Sequence, residues 1–396
     1  MARLGTPEGM TVQEPTAEAR QILESVDAFL ARRLQPAEIR RRDAGHVPPY
    51  DLLPEMGRAG LLALAVPEAE GGLGAGWPTV ALVQERLGRH AYMVASIFNR
   101  VVGFGLMSAL AYGSAAQRRL LLPPLMAGEA FCALALTEPQ AGSDAAAITT
   151  RARRSAGGWR ISGRKTWISD ARGARWLILP AHTGPEREGR HGISLFLVPT
   201  DAPGIAMTEL PKIGNNCMPC FDIGLEEVEV GADALLGTEG RGFAQLMATL
   251  HYSRASMAAT VTGAAEAAFD IALSHARHRV QFGRPVGRFQ AIAHRLADMR
   301  MRVDLSHLQV QHLAALIAAG VPCRREAAQA KIVATETLRD VADAGMQILA
   351  SAGYSAEGDM QRLWRDSRLY TFGEGTNEIL RDTVARELGL MAEGKP

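Results

Sequence analysis

The chain has 396 residues, 47% hydrophobic and 21% charged, with a formal net charge of +1. That length exceeds what one hydrophobic core usually serves, so two or three packed domains are expected. The near-neutral balance gives no electrostatic footing for nucleic acid or an anionic membrane. The cysteines Cys132, Cys217, Cys220 and Cys323 do not make the dense framework of a secreted scaffold, so a reducing cytoplasm is expected.

In chain order, residues 1–15 are polar and read as a disordered N-terminus with no secretory signal. Ile22, Leu23, Val26, Phe29, Leu30 and Leu34 share one helical face. Arg40 to Arg42 read as a solvated helix face. A turn at Pro48 opens a short helix ending near Gly60, and Gly71 to Gly74 mark a loop. Residues 78–113 read as helical. Ser114 is placed to cap a helix running to Gly128. No run of about 18 apolar residues is apparent, so no membrane span is expected.

The middle changes character. The runs 176–180, 193–199 and 223–230 are β-type and bounded by turn formers. After Gly242 the chain returns to helix. Ile292, Leu296, Met299, Val303, Val310, Leu313 and Ile317 form a long stripe that Gly320 and Pro322 end. Helices follow over about 325–350 and after Thr376. The expected domains are helical over 16–130, β over 131–242 and a helical bundle over 243–396. This is an α+β fold in segregated blocks.

Some signals have ordinary readings. Cys217 and Cys220 lack a second pair and read as buried thiols, while His275 and His278 lack an acidic partner, so no metal site is expected. Gly71 to Gly74 do not join a strand to a phosphate-binding helix. Four other segments interrupt apolar runs with polar residues and glycines: 134–144, 163–170, 279–285 and 372–379. Singly, each reads as a turn, an edge aromatic or a helix cap.

Together, Thr-Glu-Pro-Gln-Ala-Gly-Ser-Asp (137–144), Arg-Val-Gln-Phe-Gly (279–283), Phe-Gln (289–290), Leu-Ala-Asp-Met (296–299) and Glu-Gly-Thr-Asn-Glu-Ile (374–379) resemble the FAD-dependent acyl-CoA dehydrogenase family over about residues 16–390. The resemblance implies an N-terminal helical domain, a central β-barrel-like domain and a C-terminal four-helix bundle. It also implies a homotetramer or dimer with FAD at a subunit interface. The implied reaction oxidises an acyl-CoA to the trans-2-enoyl-CoA, and electrons pass to an electron-transfer flavoprotein.

The implied base is Glu374, which takes the α-proton as the β-hydrogen leaves as hydride. The implied FAD contacts are Leu134, Leu136, Thr137, Gly142, Ser143, Trp167, Ile168, Ser169, Arg279, Gln281, Phe282, Gln290, Gln347, Gly353, Thr376, Asn377 and Glu378. Of these, Thr137 would support the reduced ring, Trp167 would cover the isoalloxazine, and Arg279 would pair with the pyrophosphate. Ser143, Tyr252, Arg254 and Gly375 are the implied substrate contacts. Arg254 is placed at a helix start near the CoA phosphates, and Gly375 lets the thioester approach the backbone.

The chain departs from the family pattern at several points. Ser253 stands where some members carry the base, which leaves Glu374 for that role. Gly373 replaces a frequent Tyr, His251 an Asp, Asp170 an Asn, and Ala350-Ser351-Ala352-Gly353 a glycine-rich turn. Gly373 implies room for an acyl group branched or bulky near the thioester. An acyl-CoA oxidase, an enoyl-thioester reductase and a dehydrogenase of carrier-bound acyl groups are alternatives on the same scaffold. A catalytically silent flavoprotein is the alternative of a different class.

Overall fold

The computed structural model describes residues 15–184 and 191–391. Residues 1–14 of the segment expected to be disordered lie outside the described residues. The first helix, α1 (Ala17–Arg33), starts where the Thr16 side chain accepts from the Ala19 N–H at 3.1 Å. It buries Val26, Phe29 and Leu30, as its apolar spacing requires. In α2 (Pro36–Ala44), Arg42 corrects the expectation of a solvated arginine run. It is 5% exposed, with its guanidinium on Asp51 at 2.8 Å and on Glu38 at 2.7 Å. The buried cation is sustained by two carboxylates that periodicity does not reveal.

After α3 (Leu53–Arg58) comes α4 (Trp77–Asn99), bent at Ala91 and followed by a π-helical stretch, Arg100–Leu106, and α5 (Met107–Tyr112). The span Trp77–Tyr112 is apolar and long enough to cross a membrane, contrary to the expectation above, yet 83% of its most apolar window is buried inside the protein. It is the central core element of the first helical layer. Ser114 and Gln117 close a reciprocal capping box on α6 (Ala115–Met126).

Eight strands form one mixed sheet: β1 (Cys132–Leu134), β2 (Arg151–Ser155), β3 (Gly158–Ser169), β4 (Trp176–His182), β5 (Ile193–Pro199), β6 (Ile205–Leu210), β7 (Cys220–Gly231) and β8 (Leu235–Leu236). The order is β6-β7-β3-β2-β4-β5-β8, with β1 parallel to β4. The register between β3 and β7 slips between Lys165 and Ile168. This bulge puts Trp167 at φ 56° and leaves the residue 55% exposed instead of packed in the sheet.

The last block holds α7 (Gly242–His278), the hairpin β9 (Val280–Gln281) and β10 (Arg284–Pro285), α8 (Gln290–Ala318) and α9 (Arg324–Leu349). It ends with α10 (Ser351–Tyr354), α11 (Met360–Tyr370) and α12 (Asn377–Glu387). The α8 stripe is buried from Leu296 to Ile317 as its spacing predicts, with Ile292 partly buried, and Gly320 ends the helix at φ 65°. Helices α4 and α7 approach closely at reciprocal glycines. A Cβ on Gly88 would stand 2.1 Å from the Thr260 carbonyl oxygen, and one on Gly263 would stand 2.0 Å from that of Glu85. The resulting tight contact ties the first helical block to the last and sets one wall of the main cleft.

Candidate active site

A cleft of about 2380 Å³ lies where the π-helical stretch, the sheet, α7 and the loop after α11 meet. Its lining brings together Leu134, Leu136, Thr137, Gly142, Ser143, Trp167, Ile168, Ser169, Tyr252, Arg254, Glu374, Gly375 and Thr376. These are the sequence-predicted residues that the fold gathers in one place.

Glu374 and Gly375 make consecutive left-handed turns at φ 55° and 99°. The conformation costs free energy at a non-glycine residue and so must be held from outside. Lys331, fully buried on α9, holds it: its Nζ donates to the Gly375 carbonyl and to Asn377 Oδ1, each at 2.9 Å. Burial pushes this ammonium down to about 8, against the pull of Glu374. Thr376 caps α12 by accepting from the Ile379 N–H. The Glu374 carboxylate accepts from Ser253 Oγ at 2.6 Å, and its backbone carbonyl accepts from Arg254 Nη2 at 3.4 Å. Burial pushes the Glu374 carboxyl above the usual carboxylate range, while Ser253, Arg100, Arg254 and Lys331 oppose the rise.

The opposite wall is stiffened by a buried ion pair. Lys165 donates to Glu138 Oε1 at 2.8 Å and to the Pro180 and Leu136 carbonyls at 2.9 and 3.3 Å. Glu138 also accepts from the N–H groups of Thr149 and Thr150. Burial alone would raise the Glu138 carboxyl, but Lys165 and these donors hold it at about 2. The Thr137 carbonyl accepts from the Thr166 N–H at 2.9 Å, whereas the N–H groups of Leu136 and Thr137 meet no acceptor among the described residues. Ser169 Oγ pairs with Cys220 Sγ at 3.3 Å. Beneath it, buried Asp170 accepts from Tyr50 and from Arg100 Nε, at 2.9 and 3.1 Å. The thiols of Cys217 and Cys220 are free and buried.

Other predicted site residues lie off the cleft. Arg279, Gln281, Phe282 and Gln290 are exposed around the β9–β10 hairpin, Gln347 is exposed on α9, and Gly353 is buried in α10. Glu378 is exposed. The Asn377 side chain faces into the bundle, where it bonds Lys331, Thr335 and Glu336. Arg254 is not at a helix start: α7 begins at Gly242, so Arg254 sits well inside it, beside the Glu374 loop. Tyr252 stacks on Trp77 with ring centroids 5.0 Å apart.

Sequence reasoning missed Asn99, Arg100, Lys165 and Lys331 as parts of this site, and read Ser253 only as the absence of a base. A signal existed for the lysines. The chain has Lys only at 165, 212, 331 and 395, and both Lys165 and Lys331 are fully buried.

Family models of the acyl-CoA dehydrogenase N-terminal, middle and C-terminal domains match residues 16–129, 133–228 and 240–389. The chain belongs to the acyl-CoA dehydrogenase family. Among its relatives, the probable acyl-CoA dehydrogenase YngJ of Bacillus subtilis (strain 168) is 36% identical over 376 residues, covering 95% of this chain and 99% of the relative. The butyryl-CoA dehydrogenase structure from Megasphaera elsdenii superposes with a TM-score of 0.92 at 30% identity, over 96% of this chain and 100% of that one. A glutaryl-coenzyme A dehydrogenase structure gives the same TM-score and identity over 96% and 98%.

The family is FAD-dependent, and its members are oxidoreductases acting on acyl-CoA. The cleft fits that cofactor. It offers a half-exposed indole, two unpaired backbone N–H groups at Leu136 and Thr137, and ample volume for a flavin beside a thioester.

Proposed function

We propose that the chain oxidises an acyl-CoA to the trans-2-enoyl-CoA with Glu374 as the base. The observation that carries this reading is the Glu374 carboxylate. It is held on a strained turn in the cleft that Trp167 and Thr137 line, with a serine at the neighbouring position where a second carboxylate could stand. The α C–H bond of the thioester breaks, and its proton passes to the Glu374 carboxylate. The electron pair left on the α-carbon forms the new double bond as the β-hydrogen departs with its own pair. Bound FAD supplies the acceptor for that hydride.

Leu136 and Thr137 would meet the flavin edge with their free N–H groups, and Trp167 would shield its face from water. Tyr252, Ser143 and Gly375 would line the path of the thioester and its pantetheine arm. Partial desolvation of Glu374 brings its pKa towards the operating pH, which suits a base acting on a weak carbon acid.

Arg279, Gln281, Phe282, Gln290 and Gln347 would complete the cofactor site of a second copy in a homotetramer. The exposed apolar side chains Phe282, Met301, Leu305 and Trp364 support such an assembly. An electron-transfer flavoprotein in the cytoplasm would reoxidise the enzyme. Anaerobic titration of the holoenzyme with a panel of acyl-CoAs tests the reading. The flavin is expected to bleach in the wild type and not in Glu374→Gln, and bleaching that survives in this variant refutes it.

A further inference from the structure

Mid-helix hydroxyls usually bond back to the carbonyl of the preceding turn. On α7, Thr249 and Thr260 do so, with Oγ1 on the Gln245 and Ser256 carbonyls at 3.4 and 2.9 Å. Ser253, fully buried between them, does not. Its hydroxyl turns to Glu374 Oε2 at 2.6 Å and receives Asn99 Nδ2 at 3.3 Å. Among the described residues, Ser253 is the hydrogen-bond partner of the Glu374 carboxylate. The cations around that carboxylate are Arg100 from the π-helical stretch, Arg254 from α7 and Lys331 from α9.

Asn99 is 6% exposed and lines the cleft, and its Oδ1 is buried with no partner. It is the last residue before the π-helical stretch. A Cβ on Gly103 would stand 1.9 Å from Asn99 Oδ1 and 3.3 Å from Ser253 Cα, so this glycine lets the amide seat against α7. A buried carbonyl oxygen left unpaired is costly unless another state uses it.

We infer that Asn99 and Ser253 are positioning residues that form a reversible hydrogen-bond relay behind Glu374. This rests on the reading of Glu374 as the base. While Glu374 is ionised, the relay runs from the Asn99 amide to the Ser253 hydroxyl and on to the carboxylate. When the α-proton reaches Glu374, the carboxylic acid donates to Ser253 Oγ. The Asn99 carboxamide then turns over, so that Oδ1, which has no partner in the first setting, accepts from the Ser253 hydroxyl. The proton stays on Glu374, and the hydrogen bonds reverse as the Glu374 carboxyl and the Asn99 carboxamide turn. The relay therefore stabilises the ionised base and keeps its lone pair aimed during transfer.

The test measures the pH dependence of α-hydrogen exchange into D₂O for acetyl-CoA bound to the FAD-loaded enzyme. Acetyl-CoA has α-hydrogens and no β-hydrogen, so exchange reports proton abstraction without flavin reduction. Removing a donor to the carboxylate raises its pKa. Ser253→Ala is therefore expected to move the acid limb up by about one pH unit and to lower the plateau about tenfold, at unchanged KM and FAD content. Ser253→Thr restores both values. Asn99→Leu moves the limb the same way by less, and it carries the test if Ser253→Ala does not fold. An acid limb that stays in place in these variants, while Glu374→Gln abolishes exchange, overturns the relay alone. Exchange that persists in Glu374→Gln overturns the reading of the base and the relay with it.

Discussion

Lys165→Met removes the cation that sustains the wall opposite Glu374. The wild-type ammonium is fully buried, has three oxygen acceptors and lies 2.8 Å from Glu138 Oε1. At that separation, and at an effective dielectric constant of about 20, the Coulomb attraction is about 6 kcal/mol, most of which offsets desolvation. Methionine fills similar volume but leaves a buried carboxylate and two carbonyls without their donor. Breaking one side of such a pair costs about 3–5 kcal/mol, a large share of the stability of an ordinary domain. The Leu136 carbonyl is one of the acceptors, so the damage reaches the turn that carries Thr137.

The expected outcome for Lys165→Met is a lower thermal midpoint together with weaker FAD retention, read by flavin fluorescence on heating. The pH dependence follows from the sign of the shift. Glu138 is held at about 2, below its ordinary value, so its contribution is complete above that ordinary value and is lost as pH falls towards 2. In the variant, burial acts with much less opposition and the carboxyl rises. The deficit relative to wild type should therefore be widest near neutrality and narrow in acid. A variant that melts and holds FAD like wild type at neutral pH would refute the reasoning.

Ala350 stands at φ 51° and ψ −130°, a conformation open to glycine and strained for alanine. Ala350→Gly should raise stability by about 1 kcal/mol, seen as a higher thermal midpoint; a lower midpoint contradicts the strain. His307 Nδ1 lies 2.7 Å from Glu85 Oε2, and this contact raises the imidazole pKa against the effect of burial. The contribution is full below the ordinary histidine value and fades as pH rises through the raised one, so the midpoint gap between wild type and His307→Gln should close as pH rises from below the first to above the second. A gap independent of pH excludes the ionic contact as its source. A Cβ on Gly373 would meet Met257 Cε at 3.9 Å and the Leu369 carbonyl oxygen at a tight 3.3 Å, so a side chain fits there once the backbone gives by a few tenths of an ångström. Gly373→Tyr should cut kcat/KM for acyl-CoAs branched near the thioester by about tenfold or more relative to straight-chain ones; equal losses for both would show that Gly373 does not set this preference.

The parts of the fold written as local pattern were legible. The stripe from Ile292 to Ile317 predicts α8, Gly320 its end, and Ser114 with Gln117 the start of α6. The apolar runs of β4 and β5 were equally plain, because both strands are buried on two faces. Strands β2 and β6 were missed for the converse reason. Only Ala152 is buried in β2 and no residue is buried in β6, so arginines and glutamate stand where an apolar rhythm was sought. Their strand character comes from pairing with β3 and β7, and pairing is not written in one strand.

The site divides along the same line. Glu374 and Thr137 belong to compact motifs and could be read directly, whereas the groups that hold them come from far along the chain. Lys331 reaches the Gly375 carbonyl from another helix, Ser253 reaches Glu374 from α7, and Asn99 reaches Ser253 from α4. Residue type still carried information about them. A buried lysine requires acceptors, and in a chain that meets nearly all its need for positive charge with arginine, each lysine is evidence of a compact ammonium that a guanidinium would not replace. Lys165 and Lys331 answer that description on opposite walls of the cleft. The rare cation was thus a pointer to the site, and what the linear order withheld was the identity of the oxygens it serves.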